Sequence, residues 1–88
     1  MSRRLLIVED DPGLQSQMRW CFNDDLEVAL AADRESALTA LRRLEPEVIT
    51  LDLGLPPDAG GATEGFKLLE DILRLAPMAK IIVVTGRE

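Results

Sequence analysis

Four short apolar runs rich in branched side chains punctuate the chain, at residues 5–8, 26–31, 48–51 and 80–86. Runs of this length and composition read as β-strands, and the first, third and fourth are continuous enough to be buried on both faces. Between them the apolar positions change to helical spacing. Leu14, Met18, Cys21 and Phe22 predict a helix over about 12–22 with that stripe on a sheet, and Asp11-Pro12 suits its start as a cap followed by Pro at the first helical position. Asp33 is placed to cap a second helix whose inner face is Ala37, Leu38, Leu41 and Leu44, with Arg34, Arg42 and Arg43 on its wet face and Pro46 as its stop. Phe66, Leu69, Ile72, Leu73 and Ala76 mark a third, ended by Pro77.

The order β-α-β-α-β-α-β implies right-handed crossovers, and so an α/β fold: a doubly wound parallel sheet with helices on both faces. Eighty-eight residues are one domain. No internal repeat, low-complexity tract or linker interrupts them.

Composition narrows the chemistry. Sixteen acidic against ten basic residues give a net charge of −6, which argues against this segment gripping a nucleic-acid backbone by itself. No apolar run approaches a membrane span and the first residues are too short for a signal peptide, so a cytoplasmic location is expected. A single cysteine, Cys21, excludes an internal disulfide and Cys-cluster metal sites. Its simplest role is a small buried apolar residue. The absence of histidine excludes His-based catalysis, His metal ligation and phosphohistidine within this chain.

The strand ends carry the remaining chemistry. Asp52 closes the third run just before Gly54 and Pro56, and it is either a turn cap or a site residue at the edge where open parallel sheets bind ligands. Glu9 and Asp10 follow the first run and Thr85 ends the fourth. In one parallel sheet these ends share an edge, so three carboxylates would converge beside a hydroxyl. Like charges that close need an offset, and a few hard oxygen ligands suit Mg²⁺. Such a site invites phosphoryl transfer.

The stretches Leu6-Ile7-Val8-Glu9-Asp10-Asp11, Leu51-Asp52-Leu53-Gly54-Leu55-Pro56, Gly65-Phe66-Lys67-Leu68-Leu69 and Ile82-Val83-Val84-Thr85-Gly86 resemble the four successive motifs of a bacterial response-regulator receiver domain, over essentially the whole chain. The resemblance implies a flavodoxin-like, CheY-like fold with strand order 2-1-3-4 here. It implies that Asp52 accepts a phosphoryl group from a sensor histidine kinase and that Glu9, Asp10, Asp52 and the backbone carbonyl of Gly54 hold Mg²⁺. Asp10 would bind the metal directly and Glu9 through water. Thr85 would contact the phosphoryl group and move on activation, while Asp11 stays a helix cap. The family is not a turnover enzyme, and it regulates an output domain, here expected to be transcriptional and outside these residues.

Two departures qualify the match. Residues 57–61 look like an insertion beside Asp52, expected to be a lid or partner-facing loop, and with Trp20-Cys21-Phe22 it is similar to receivers of σ54-dependent activators of the NtrC type. Residues 1–88 also stop before the fourth helix, fifth strand and fifth helix of a receiver, with the lysine and aromatic switch residue those carry. Lys80 is not that lysine. The expectations that follow are poor phosphorylation by acetyl phosphate and a dimer or domain-swapped assembly through the fourth-strand edge or the flank of the first helix. Two other classes stay open: a pseudo-receiver acting as a phosphorylation-independent interaction module, and a phosphatase of haloacid-dehalogenase type, whose nucleophile strand wants an acid where Gly54 stands.

Overall fold

The computed structural model describes residues 3–21, 26–55 and 63–84. Its order is β1 (Arg3–Val8), α1 (Pro12–Trp20), β2 (Leu26–Ala31), α2 (Arg34–Leu44), β3 (Val48–Asp52), α3 (Thr63–Leu75) and β4 (Lys80–Val84). The four strands form one parallel sheet in the order β2-β1-β3-β4. The direction of travel along the sheet reverses once, after β2. Right-handed crossovers then put α1 on one face and α2 and α3 together on the other.

The register shows which residues share a face. Leu6 pairs with Ala29 and Ile49, and Ile49 with Ile81, so these side chains point to the same side. There Leu6, Val8, Ile49 and Leu51 pack with Ala37 and Leu41 of α2 and with Leu68 and Ile72 of α3 in the main core. The alternate positions Leu5, Ile7 and Thr50 are also buried, facing the α1 side. The third run is thus buried on both faces, as its composition predicts. β4 is different: it lies at the edge, and Ile82 and Val83 are 54% and 43% exposed.

Local chemistry sets the helix ends. Asp33 Oδ1 accepts the Ser36 amide at 2.8 Å while Ser36 Oγ accepts the Asp33 amide at 3.2 Å, a reciprocal capping box at the start of α2. The two Ser36 hydrogen bonds hold the Asp33 carboxyl below its usual range, the backbone one more strongly. At the other end Glu45 takes up the left-handed conformation, φ 50° and ψ 60°, and returns its N–H to the Leu41 carbonyl at 3.1 Å. Pro46, which cannot continue the helix, follows.

Three expectations are corrected. The α1 stripe is not under the helix: α1 buries none of its residues, Leu14 is 43% exposed and Cys21 is exposed, because no described element supplies cover on that flank. Phe22 lies outside the described residues. On α3 the inward face is Gly65, Leu68, Asp71 and Ile72, about one position out of phase with the apolar stripe, leaving Phe66 and Leu73 more than half exposed.

Arg34 is not on a wet face. Its guanidinium spans to α3, with Nε 3.0 Å and Nη2 2.9 Å from Asp71 Oδ2, while Arg74 Nη2 lies 2.9 Å from Asp71 Oδ1. Burial would raise the Asp71 carboxyl, but the bonds and charge of Arg34 and then Arg74 outweigh it and hold it below the usual range.

Candidate functional site

The site grows from two adjacent strand ends. β1 and β3 are neighbours, so the residues that follow β1 and the last residue of β3 meet at the carboxyl edge of the sheet. Glu9 extends the ladder by one bond, its amide donating to the Ala31 carbonyl at 2.8 Å, and its side chain turns inward to 4% exposure. The Asp11 amide donates to Glu9 Oε2 at 3.2 Å, and Gln15 Nε2 holds the Glu9 carbonyl. Asp11 itself turns outward to cap α1, its Oδ1 accepting the Gly13 and Leu14 amides at 2.8 and 3.3 Å. That confirms the cap and leaves Asp10, half-buried, as the acid that joins Glu9.

Asp52 is half-buried beside Val84 of β4. Its Oδ1 accepts the Gly54 amide at 3.0 Å, and the Leu55 amide returns to the Leu53 carbonyl at 3.0 Å, so a tight turn fixes the carboxylate from below. Asp52 therefore braces its own turn with one oxygen and also lies in a cluster of acids. Carboxylate oxygens of Glu9, Asp10 and Asp52 lie within 4.8 Å of one another. At that spacing two unit charges repel by about 3 kcal/mol for an effective dielectric near 20. Among the described residues no cation is paired with any of the three.

The strain appears in Glu9, whose carboxyl is pushed up to about 7, chiefly by burial. The Asp11 amide opposes the rise, and the charges of Asp52 and Asp10 add to it. Three oxygen donors with an uncompensated negative charge fit a hard divalent cation such as Mg²⁺. The Gly54 carbonyl stands on the turn just past Asp52, in reach of the same edge by chain position. Thr85 and the 57–61 stretch lie outside the described residues.

Sequence reasoning missed two neighbours of the site. Gly65 packs so tightly on the turn that a Cβ there would sit 2.3 Å from Leu53 Cα. Its signal was a Gly inside a helical pattern, which often marks close backbone approach. Thr50, two residues before Asp52 on the same face, buries a hydroxyl oxygen with no partner among the described residues, and nothing in a β-branched run separates such a Thr from a Val.

The family described as the response regulator receiver domain matches residues 5–88. The chain belongs to that family. A solved receiver domain protein, CheY-like, from Methanospirillum hungatei JF-1 superposes with a TM-score of 0.86 at 29% identity, covering all of this receiver and 67% of that chain. A protein-glutamate methylesterase/protein-glutamine glutaminase of Rhizobium etli is 35% identical over 93% of the receiver, and the DNA-binding response regulator MtrA of Mycolicibacterium smegmatis is 39% identical over 64% of it. The receiver spans about a quarter of the length of these two relatives, 23% and 25%. Receivers of this kind belong to two-component signalling. Among the described residues no helix is long and apolar enough to cross a membrane.

Proposed function

We propose that this receiver takes a phosphoryl group on Asp52 from the phosphohistidine of a sensor kinase and thereby switches a surface read by an output domain. The observation that carries the reading is the convergence of Glu9, Asp10 and Asp52 within 4.8 Å at the sheet edge. A carboxylate oxygen of Asp52 forms the new bond to phosphorus as the P–N bond breaks, its electron pair leaving on the kinase imidazole. The Gly54 amide holds the Asp52 carboxylate in one orientation for that attack. Asp10 and Asp52 would hold Mg²⁺ with the Gly54 carbonyl, and Glu9 through water. Bound there, Mg²⁺ would neutralise the negative charge shared by the carboxylates and the incoming phosphoryl oxygens. Thr85 would supply a hydroxyl to the phosphoryl group.

In this reading the receiver acts in the cytoplasm and transfers a group once per signal without being a turnover enzyme. The output is a separate module, transcriptional and of the NtrC type in the first instance. The methylesterase relative makes an enzymatic output the second reading. A dimer or swapped assembly through β4 or the flank of α1, where Ile82, Val83 and Leu14 are exposed, is part of this reading, and a monomer by light scattering at tens of micromolar would contradict it.

Mg²⁺-dependent binding of beryllofluoride, followed by fluorine NMR, is the deciding experiment. Binding that requires Mg²⁺ and vanishes in Asp52→Asn is expected. No binding with a folded protein would favour the interaction-module reading instead. Turnover of a generic phosphate ester would favour a phosphatase.

A further inference from the structure

The opposite end of the sheet carries a second feature that phosphorylation at Asp52 does not use. The amino ends of β1, β3 and β4 and the last turns of α2 and α3 enclose an open groove of about 950 Å³. Its apolar lining includes Leu41 and Val48, with Met78, 93% exposed, projecting beside them. Four cations line it, Arg3, Arg4, Arg42 and Lys80, and among the described residues none has a carboxylate within ion-pair distance.

Two acids also line the groove and offset part of this charge, but neither forms an ion pair with the four cations among the described residues. Glu47 is engaged by backbone: its Oε1 accepts the Arg4 amide at 3.2 Å, its own amide donates to the Arg4 carbonyl at 3.0 Å, and its carbonyl accepts the Lys80 amide at 2.9 Å. Glu45 is exposed at the end of α2. In a chain of net charge −6, four cations against two acids around one groove are a local reversal of sign. Opposite charge at a rim steers a partner and sets which partner is accepted, while an apolar floor supplies the affinity.

We propose that this groove is a docking site for an acidic segment of another protein, one that alternates carboxylates with apolar side chains. The cations would meet the carboxylates at the rim, and an apolar side chain would cover Met78 and the floor beside Leu41. The site lies at the amino ends of the strands, across the sheet from Asp52, so an occupant need not compete with a kinase or a phosphoryl group.

The test is fluorescence anisotropy on the full chain with a short fluorescein-labelled peptide of repeating Glu-Glu-Leu. Saturable binding that weakens as salt rises is expected. The double variant Arg42→Glu, Lys80→Glu should weaken it at least about tenfold, since two exposed attractions become repulsions. Met78→Ser should weaken it severalfold and separates loss of the floor from loss of charge. Both variants change exposed residues, and an unchanged urea midpoint confirms that they fold. Equal binding of a Ser-Ser-Leu or a Glu-Glu-Ser peptide, tighter binding of an oligothymidylate, or unaltered affinity in the charge variant would each overturn the proposal. So would a dimer that dissociates in the same variant, which would assign the groove to a second copy of the chain.

Discussion

Replacing Gly65 by Ala separates two opposed effects. In an unconstrained helix interior the change stabilises by about 1 kcal/mol, because Gly loses more backbone freedom and Ala is the best helix former. Here the added Cβ would lie 2.3 Å from both Leu53 Cα and Leu53 O and 2.6 Å from the Leu53 carbonyl carbon. All three are backbone atoms of the turn that follows Asp52, so no side chain can swing aside, and α3 or the turn must move by about 1 Å. Overpacking costs about 1–3 kcal/mol, occasionally more, and clashes with three backbone atoms place this one at about 2–3 kcal/mol. The clash therefore wins, and Gly65→Ala should lose about 1–2 kcal/mol net. For a chain of this size that is a substantial part of a total stability of about 4–13 kcal/mol. It should lower the thermal midpoint by about 4–8 °C per kcal/mol. Urea unfolding with an unchanged m-value measures it. The displaced turn also carries the Gly54 amide that braces Asp52, so Mg²⁺ affinity should fall in the same variant. A variant as stable as the parent, or more stable, would refute the close approach and with it the placement of α3 on the site.

Two further outcomes are expected. Asp71→Asn removes the carboxylate shared by Arg34 and Arg74 and should cost about 1–2 kcal/mol, kept modest by the partial exposure of both arginines. Because the folded Asp71 carboxyl lies below its unfolded value, its stabilisation is complete above the unfolded pKa, near 4, and disappears as pH falls through the folded one. Parent and variant urea midpoints should thus converge in acid and differ by a constant amount at neutral pH; a gap that persists in acid would contradict the depressed pKa. Glu45→Gly should stabilise by about 1 kcal/mol, since a non-glycine residue at φ 50° carries the left-handed penalty that Gly avoids, and a lower urea midpoint would count against the assigned helix end.

The strand pattern, the parallel order and the acids of the site were all readable because each follows from a local rule. Branched apolar runs are short, Pro12 and Asp33 punctuate, and carboxylates at the carboxyl ends of neighbouring parallel strands fall on one edge. What was not readable depends on pairs of elements. The inward face of α3 is set by Gly65 against Leu53 and by Asp71 reaching Arg34, and the second of these puts an acid where hydrophobicity alone expects Phe66 or Leu73. The charge of Arg34 suggested solvent because its partner lies 37 residues away. Cys21 and Leu14 followed helical periodicity correctly, yet periodicity names a stripe without saying what covers it. Asp52 kept two readings for the same reason, since the Gly54 amide it accepts is local while the carboxylates near it come from the end of β1.

The parallel pairing of β1 with β3 has a kinetic meaning. Arg4 and Glu47, which bridge the starts of these strands, are 43 residues apart in the chain, and Asp10 and Asp52 at the other end of the same pair are similarly distant in sequence. The cation proposed to be held jointly by Asp10 and Asp52 would bind only once that loop has closed, so Mg²⁺ would report when in folding the closure occurs. If β1 and β3 are already paired at the folding barrier, added Mg²⁺ will raise the folding rate; if they pair afterwards, it will only slow unfolding. In the proposed site, the dependence of folding rate on Mg²⁺ would thus date the pairing of β1 with β3.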